Sequence, residues 1–125
     1  MGRFLNKGNR KFAELAASRY FVDKSKLINK LLEKDGTEKF ICNSRARRFG
    51  KSVTADMLVA YFSKGADSRE LFAPLKCEKN KLFVESMNQY DTIFMDIQAQ
   101  FVQAKIKNQK PDLYIGKLLV KELKA

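Results

Sequence analysis

Any prediction of the fold starts from the stretch Phe40-Ile41-Cys42-Asn43-Ser44-Arg45-Ala46-Arg47-Arg48-Phe49-Gly50-Lys51-Ser52. Its pattern predicts a short apolar strand, a tight basic turn and a helix that opens on Gly-Lys-Ser. Phosphate-binding loops are organised in this way, because the N–H groups of the turn and the amino end of the helix both point at the anion. The consensus G-x-x-x-x-G-K-[ST] requires a glycine at position 45, where this sequence has arginine. The stretch therefore predicts a phosphate loop that lacks its first glycine.

The length and composition fit one globular domain or a fragment of a larger one. The chain has 125 residues, of which 45% are hydrophobic and 31% are charged. We expect a cytoplasmic protein without a membrane partner, since no apolar run approaches the length of a membrane span and no signal peptide is recognisable. The absence of histidine excludes Ser-His-Asp and Cys-His catalysis. Two cysteines alone argue against a zinc site, and Cys42, in the predicted strand, is expected to be a buried free thiol.

The positive charge is concentrated in the first part of the chain. The net charge is +11. Residues 1–51 carry 14 Lys and Arg against 5 Asp and Glu, whereas residues 52–125 carry 11 against 9. A field of this sign attracts phosphate, either of a nucleotide or of a nucleic-acid backbone. A solvated lysine-rich surface explains the same numbers, and charge alone does not separate the two interpretations.

Helices and strands are predicted to alternate along the chain. The predicted strands are about Lys39–Ser44 and Asp91–Ile97, the second being an apolar run that is typical of a buried parallel strand. Apolar periodicity and capping residues predict the helices. These are a first helix from Asn9, a second from Asp23 to about Lys34, a third over about Lys51–Ser63, a short turn at Ser68–Phe72, a surface helix within Glu78–Asn88, a short helix at Phe101–Ile106 and a last helix that begins at Pro111.

This alternation predicts an α/β fold with parallel pairing. Together with the phosphate loop it indicates a truncated P-loop NTPase-like three-layer domain with a small parallel sheet and several helices. Residues 1–125 are expected to form this single domain, with N-terminal helices at 9–37, the P-loop core at 38–100 and C-terminal helices at 101–125. Two strands are fewer than the four to six or so of an ordinary sheet. Because exposed strand edges pair with other chains, the shortage also predicts a homodimer that completes the sheet.

A predicted site combines the loop with the end of the second strand. Lys51 would reach the β- and γ-phosphates, and the hydroxyl of Ser52 and the carboxylate of Asp96 would hold Mg²⁺. In the alternative interpretation the arginines form a solvated or nucleic-acid-binding turn, and Asp96 only caps the element that follows. The predicted nucleotide-binding residues are Arg45, Arg47, Arg48, Phe49, Gly50, Lys51 and Ser52.

Five segments together resemble the bacterial AAA-ATPase-like family. They are Tyr20-Phe21-Val22-Asp23-Lys24-Ser25, Ser44-Arg45-Ala46-Arg47-Arg48-Phe49-Gly50-Lys51-Ser52, Met57-Leu58 with Tyr61-Phe62, Glu70-Leu71-Phe72, and Tyr90-Asp91-Thr92-Ile93-Phe94-Met95-Asp96. Members usually carry "YxVDKT", "RPRRFGKS/T", "LF" and a strand that ends in "LDF", and an arginine commonly replaces the first loop glycine. The resemblance implies that the loop binds Mg-ATP and that Asp96 is the second acid of the site. Asp23 matches a family motif, and we expect it to cap a helix.

Three departures from the family pattern predict weak or no ATP turnover, at best a weak ATPase. Ala46 stands where proline is usual, and Ile97 stands where many such ATPases have a glutamate that activates water. Members also continue through further strands, often to a PD-(D/E)xK nuclease-like domain, and this sequence does not. No acid pair followed by E-x-K supports a nuclease in this chain itself.

A second function stays open beside the first. A short basic chain of this kind could be a non-enzymatic binding protein, such as the inhibitors and adaptors that phages and mobile elements encode. It would act on a nucleic acid or a nucleoprotein through its basic N-terminal half. Binding of this type is expected to weaken steeply with added salt, because each neutralised phosphate releases counterions.

Overall fold

Helices dominate the part of the chain that the structure describes. The computed structural model describes residues 4–33, 41–42 and 51–124. Within these residues there is no β-sheet, only two isolated β-bridges. The predicted α/β fold with a parallel sheet is therefore wrong. The helices are α1 Arg10–Ala16, α2 Lys26–Leu32, α3 Lys51–Phe62, α4 Arg69–Phe72, α5 Lys81–Ser86, α6 Ile97–Ile106 and α7 Pro111–Lys124.

The predicted strand Asp91–Ile97 is an extended segment that forms no continuous β-pairing with the described part of the chain. It touches other extended backbone at the antiparallel bridge Leu5–Ile93 and the parallel bridge Ser63–Tyr90. Ile93 is 55% exposed, so the run is not the buried strand that its composition predicts. Ile97 belongs to α6 instead. An apolar run of this length fits either a strand or the approach to a helix, and only its neighbours decide between them.

The other predicted strand, Lys39–Ser44, lies outside the described residues except for Ile41 and Cys42. Both are exposed and belong to no helix or strand. Cys42 is thus an exposed free thiol, contrary to the prediction, whereas Cys77 is a buried one. With no sheet in the described part of the chain, the argument for a homodimer from unpaired strand edges loses its basis.

The predicted helices are confirmed more closely than the strands. α3 ends at Phe62, one residue before the predicted end, and α7 begins at Pro111, where proline is favoured because a first helical residue needs no intrahelical N–H bond. Asn9 does precede α1, but its side chain donates to Asp67 O and Ser68 Oγ instead of capping the helix. α2 is shorter than predicted, since it begins after Ser25 and ends at Leu32.

The core is aromatic and is built by the first five helices. Tyr61 of α3 is fully buried at the centre of this core. The centre of its ring lies 4.8 Å from the ring centre of Phe83 and 5.7 Å from that of Phe72. Phe12 of α1 stacks on Phe72 at 5.4 Å and thereby joins α1 to α4. The buried members of this core are Phe12, Ile28, Met57, Ala60, Tyr61, Phe72, Cys77, Phe83 and Met87.

Three side chains at the start of α2 hold the loop before α5. Asp23 accepts from Lys76 N at 2.6 Å, Ser25 Oγ accepts from Cys77 N at 3.0 Å, and Asn29 Oδ1 accepts from Glu78 N at 2.9 Å. The amide of Asn29 also donates to Glu78 O at 2.8 Å. Consecutive N–H groups are thus satisfied by residues of another element. This gives Asp23 a structural role, although Ser25, not Asp23, occupies the position that precedes the helix.

The N-terminal segment is fixed between the extended segment and α7. Asn6 N donates to Thr92 O and Phe94 N donates to Phe4 O, both at 2.8 Å. The carboxylate of Glu122 on α7 accepts from Phe4 N at 2.8 Å and from Leu5 N at 3.1 Å. α7 also packs along α6. In the residues that the structure describes, no helix has the length and apolar character that crossing a membrane requires.

Candidate functional site

The amino end of α3 is the part of the predicted phosphate site that the structure describes. The helix begins at Lys51, immediately after Gly50, and continues for 12 residues. Ser52 is exposed in its first turn. Of the other predicted nucleotide-binding residues, positions 45 and 47–50 lie outside the described residues, as does the side chain of Lys51. The described part of the site is therefore an exposed hydroxyl at the amino end of a long, buried helix.

The extended segment after Tyr90 runs beside α3 toward this same end. Tyr90 forms its bridge with Ser63 at the carboxyl end of α3, whereas Phe94 lines a cleft with Val59 and Asp56, farther toward the amino end. Asp96 lies two residues beyond Phe94, an advance of about 7 Å for extended chain. Ser52 lies four residues before Asp56, about 6 Å along a helix. The structure places Phe94 beside Asp56, but no hydrogen bond joins Ser52 and Asp96 in the described part of the chain.

Asp96 already has one structural task. It precedes α6, and its Oδ1 accepts from Ala99 N at 3.1 Å, which is an ordinary N-cap hydrogen bond. The side chain is exposed. Its other carboxylate oxygen makes no hydrogen bond in the described part of the chain. A hydroxyl oxygen and a carboxylate oxygen are ligands that suit Mg²⁺, so the chemistry of Ser52 and Asp96 fits that ion.

Asp56 is a residue that the motif analysis missed. It is the only charged residue between Lys51 and Lys64, and it is only 8% exposed. It faces a cleft of about 280 Å³ between α1, α3 and the extended segment, where Lys7 and Lys11 are its cationic neighbours. A lone carboxylate in the largely apolar stretch between Lys51 and Lys64 was the signal that could have identified it. Since Ser52 precedes it by four residues, the two lie on one face of α3.

The burial of Asp56 predicts an unusual dependence of stability on pH. Burial raises the pKa of Asp56, and the charges of Lys11 and Lys7 offset this only in part. Its stabilising contribution is complete below the unfolded pKa and is lost as the pH rises through the folded pKa. We therefore expect Asp56→Asn to raise the unfolding midpoint at pH 7 by a few degrees and to have no effect near pH 3, measured by thermal unfolding followed by circular dichroism.

Asp23→Asn is the matched control for this prediction. Burial acts to raise the pKa of Asp23, but hydrogen bonds from Ser25 and from the backbone of Lys76 outweigh it, and the pKa is lowered. Its stabilising contribution is present above the unfolded pKa and is lost as the pH falls through the folded pKa. Asp23→Asn should therefore lower the midpoint at pH 7. Equal shifts for the two variants would contradict this account of Asp56.

A larger cavity adjoins the first two turns of α3. Its volume is about 470 Å³, and it lies between α1, the segment 18–24 and α3. The motif residues Tyr20, Phe21, Val22 and Lys24 line it, together with Val53 of α3, which directly follows Ser52. The structure thus brings the segment 20–24 together with Val53, which adjoins the predicted phosphate loop, although the two are far apart in the sequence. Its remaining described lining residues are Phe12, Leu15, Ser18, Thr54 and Met57.

Comparison with known proteins identifies one family. A sequence model of the family described as "Predicted AAA-ATPase" matches residues 7–115. No curated protein and no solved structure matches the chain. The family match covers α1 to α6 and the start of α7, and it includes Ser52, Asp56 and Asp96. The chain therefore belongs to the AAA-ATPase-like family.

Proposed function

We propose that the chain is a nucleotide-binding module that holds the phosphates of Mg-ATP at the amino end of α3. The observation that carries the proposal is that α3 begins at Lys51 with Ser52 exposed in its first turn, in a chain of an ATPase-like family. Residues 1–125 act as one domain in this proposal. The phosphates would be bound by Arg45, Arg47, Arg48, Phe49, Gly50, Lys51 and Ser52.

Each group of the proposed site has a physical task. Lys51 and the arginines supply positive charge to the phosphates, and the amino end of α3 adds its unpaired N–H groups and the helix dipole. Ser52 and Asp96 offer oxygen ligands to Mg²⁺, which neutralises phosphate charge when it is bound. The course of the segment from Tyr90, at the carboxyl end of α3, to Phe94, beside Asp56, supports this pairing, because Asp96 follows Phe94 by two residues.

The same residues support binding with weak or no hydrolysis. Attack of water on a phosphoryl group needs a residue that orients or activates the water. The residue after Asp96 is Ile97, an apolar side chain that begins α6 and is 44% exposed. It can neither accept a proton nor orient water. We therefore propose that the module binds nucleotide and turns it over poorly by itself.

A calorimetric titration with Mg-ATP tests the phosphate site. We expect saturable binding to the full chain, and we expect Lys51→Ala to weaken it by at least about tenfold, because one charge-assisted phosphate contact is lost. Lys64→Ala is the matched control, since Lys64 is an exposed lysine beyond the opposite end of α3. Absence of binding, or equal effects of the two variants, would refute the proposal.

Two substitutions of Asp96 separate its metal role from its capping role. Asparagine caps a helix as well as aspartate does, whereas alanine does not. Asp96→Asn should therefore keep the unfolding midpoint while reducing the gain in ATP affinity that Mg²⁺ provides. Asp96→Ala should lower the midpoint as well. If Asp96→Asn leaves the Mg²⁺ dependence of binding unchanged, Asp96 serves only as a cap.

A further inference from the structure

The cavity beside α3 lies where a nucleotide bound at the proposed phosphate site would extend. Val53 and Thr54, which line it, immediately follow Ser52 in the first turns of α3. A ligand whose phosphates lie at Ser52 would therefore adjoin the cavity, because Val53 and Thr54 are the next two residues of α3. The volume, about 470 Å³, falls within the range of small-molecule sites in proteins, which is about 300–1,000 Å³.

The lining has the character of a site for a flat, weakly polar group. One wall is aromatic, because the ring of Phe12 packs edge to face against that of Phe21, with 5.8 Å between the ring centres, and stacks on that of Phe72 at 5.4 Å. Leu15, Val53 and Met57 make other parts of the lining apolar. Such a surface excludes water from a planar ligand and offers it aromatic contacts.

Two large hydrophobic side chains at the rim of the cavity are exposed to solvent. Tyr20 is 85% exposed and Val22 is 66% exposed, although both line the cavity. The tyrosine N–H donates to Ser18 Oγ at 3.3 Å, so its backbone is held while its ring is open to solvent. An exposed ring beside an apolar cavity is placed to stack on a ligand that enters there, as aromatic side chains do with nucleic-acid bases.

We propose that this cavity receives the base of the bound nucleoside triphosphate and that the ring of Tyr20 stacks on it. The inference rests on the proposed function, because it takes the phosphates to lie at the amino end of α3. It gives the segment 20–24 two tasks. Asp23 accepts a hydrogen bond from Lys76 N and so connects the segment to the loop before α5. Tyr20 and Val22 line the cavity and face the ligand.

The test compares Mg-ATP with Mg-tripolyphosphate, which carries the phosphates without a base. Calorimetric titrations are made with the full chain and with Tyr20→Ala, Tyr20→Phe and Lys51→Ala. Phe101→Ala is the matched control, since it removes an aromatic side chain that is 49% exposed and lines a different cleft on α6. The unfolding midpoint of each variant is measured in parallel, and Tyr20→Ala should leave it unchanged because the side chain is almost fully exposed.

We expect ATP to bind about tenfold more tightly than tripolyphosphate, which is the scale of one base–aromatic stack. Tyr20→Ala should remove most of that difference by weakening ATP binding alone, while Tyr20→Phe and Phe101→Ala should preserve it. Lys51→Ala should weaken both ligands. Equal affinities for ATP and tripolyphosphate, or an equal loss of both in Tyr20→Ala, would overturn the base site and leave the phosphate site standing. If neither ligand binds, the proposed function fails and the base site fails with it.

Discussion

Tyr61→Ala is expected to lower the free energy of unfolding by about 4 kcal/mol, which is the scale for removing a fully buried aromatic side chain. Tyr61 is fully buried and contacts the rings of Phe62, Phe72 and Phe83. Its hydroxyl donates to Phe83 O at 2.6 Å, and burial raises the pKa of that hydroxyl. Natural domains are stable by only about 5–15 kcal/mol, so this one change should remove a large part of the total. Chemical denaturation followed by circular dichroism measures it.

Tyr61→Phe separates packing from the hydrogen bond. It keeps the ring in the core but leaves Phe83 O without its partner, and we expect a loss of about 1–2 kcal/mol. Tyr20→Ala is the control of the same chemistry at an exposed position, with an expected change within about 0.5 kcal/mol. A loss in Tyr61→Phe as large as that in Tyr61→Ala would show that the hydrogen bond, not the aromatic packing, dominates this part of the core.

The sequence predicts the helices of this fold well because their signals are local. Apolar residues recur along α3 from Val53 to Phe62, and Pro111 marks the first residue of α7. The predicted strand Asp91–Ile97 depended on partners that a sequence pattern does not specify. The structure gives this segment Phe4–Asn6 on one side and the end of α3 on the other, by single bridges. Long-range pairing, not residue preference, therefore decided the fold class.

In the candidate site, too, the features with a local sequence signal could be predicted, and those that depend on tertiary packing could not. Motif spacing was sufficient to place Ser52 at the beginning of a helix. The described contact of Asp96 is the cap of α6, and its role in binding metal stays a prediction. Asp56 carries no motif, but its isolation among apolar residues could have revealed it. The cavity lined by Tyr20 and Val53 could not be predicted, since it exists only once α1, the segment 18–24 and α3 are packed together.

Asn88→Ala is expected to cost about 3–4 kcal/mol, because this one side chain closes the carboxyl end of α3. Its Nδ2 donates to Ala60 O and to Ser63 O at 2.9 Å each, and its Oδ1 accepts from Ser68 N at 3.0 Å. Three hydrogen bonds of about 1 kcal/mol each are lost in the variant. The backbone of Asn88 has φ of 59°, a left-handed conformation that asparagine tolerates and alanine resists by about 1 kcal/mol.

Glycine at the same position distinguishes the two contributions. Asn88→Gly loses the three hydrogen bonds but accepts the positive φ, so it should be less destabilising than Asn88→Ala by about 1 kcal/mol. Asn108 in the turn between α6 and α7 is the matched control. Its φ is 53°, and its side chain is exposed and makes no hydrogen bond in the described part of the chain. Asn108→Ala should therefore cost only about 1 kcal/mol, and Asn108→Gly almost nothing. Equal losses at the two positions would mean that backbone conformation, not the network around Asn88, holds the end of α3.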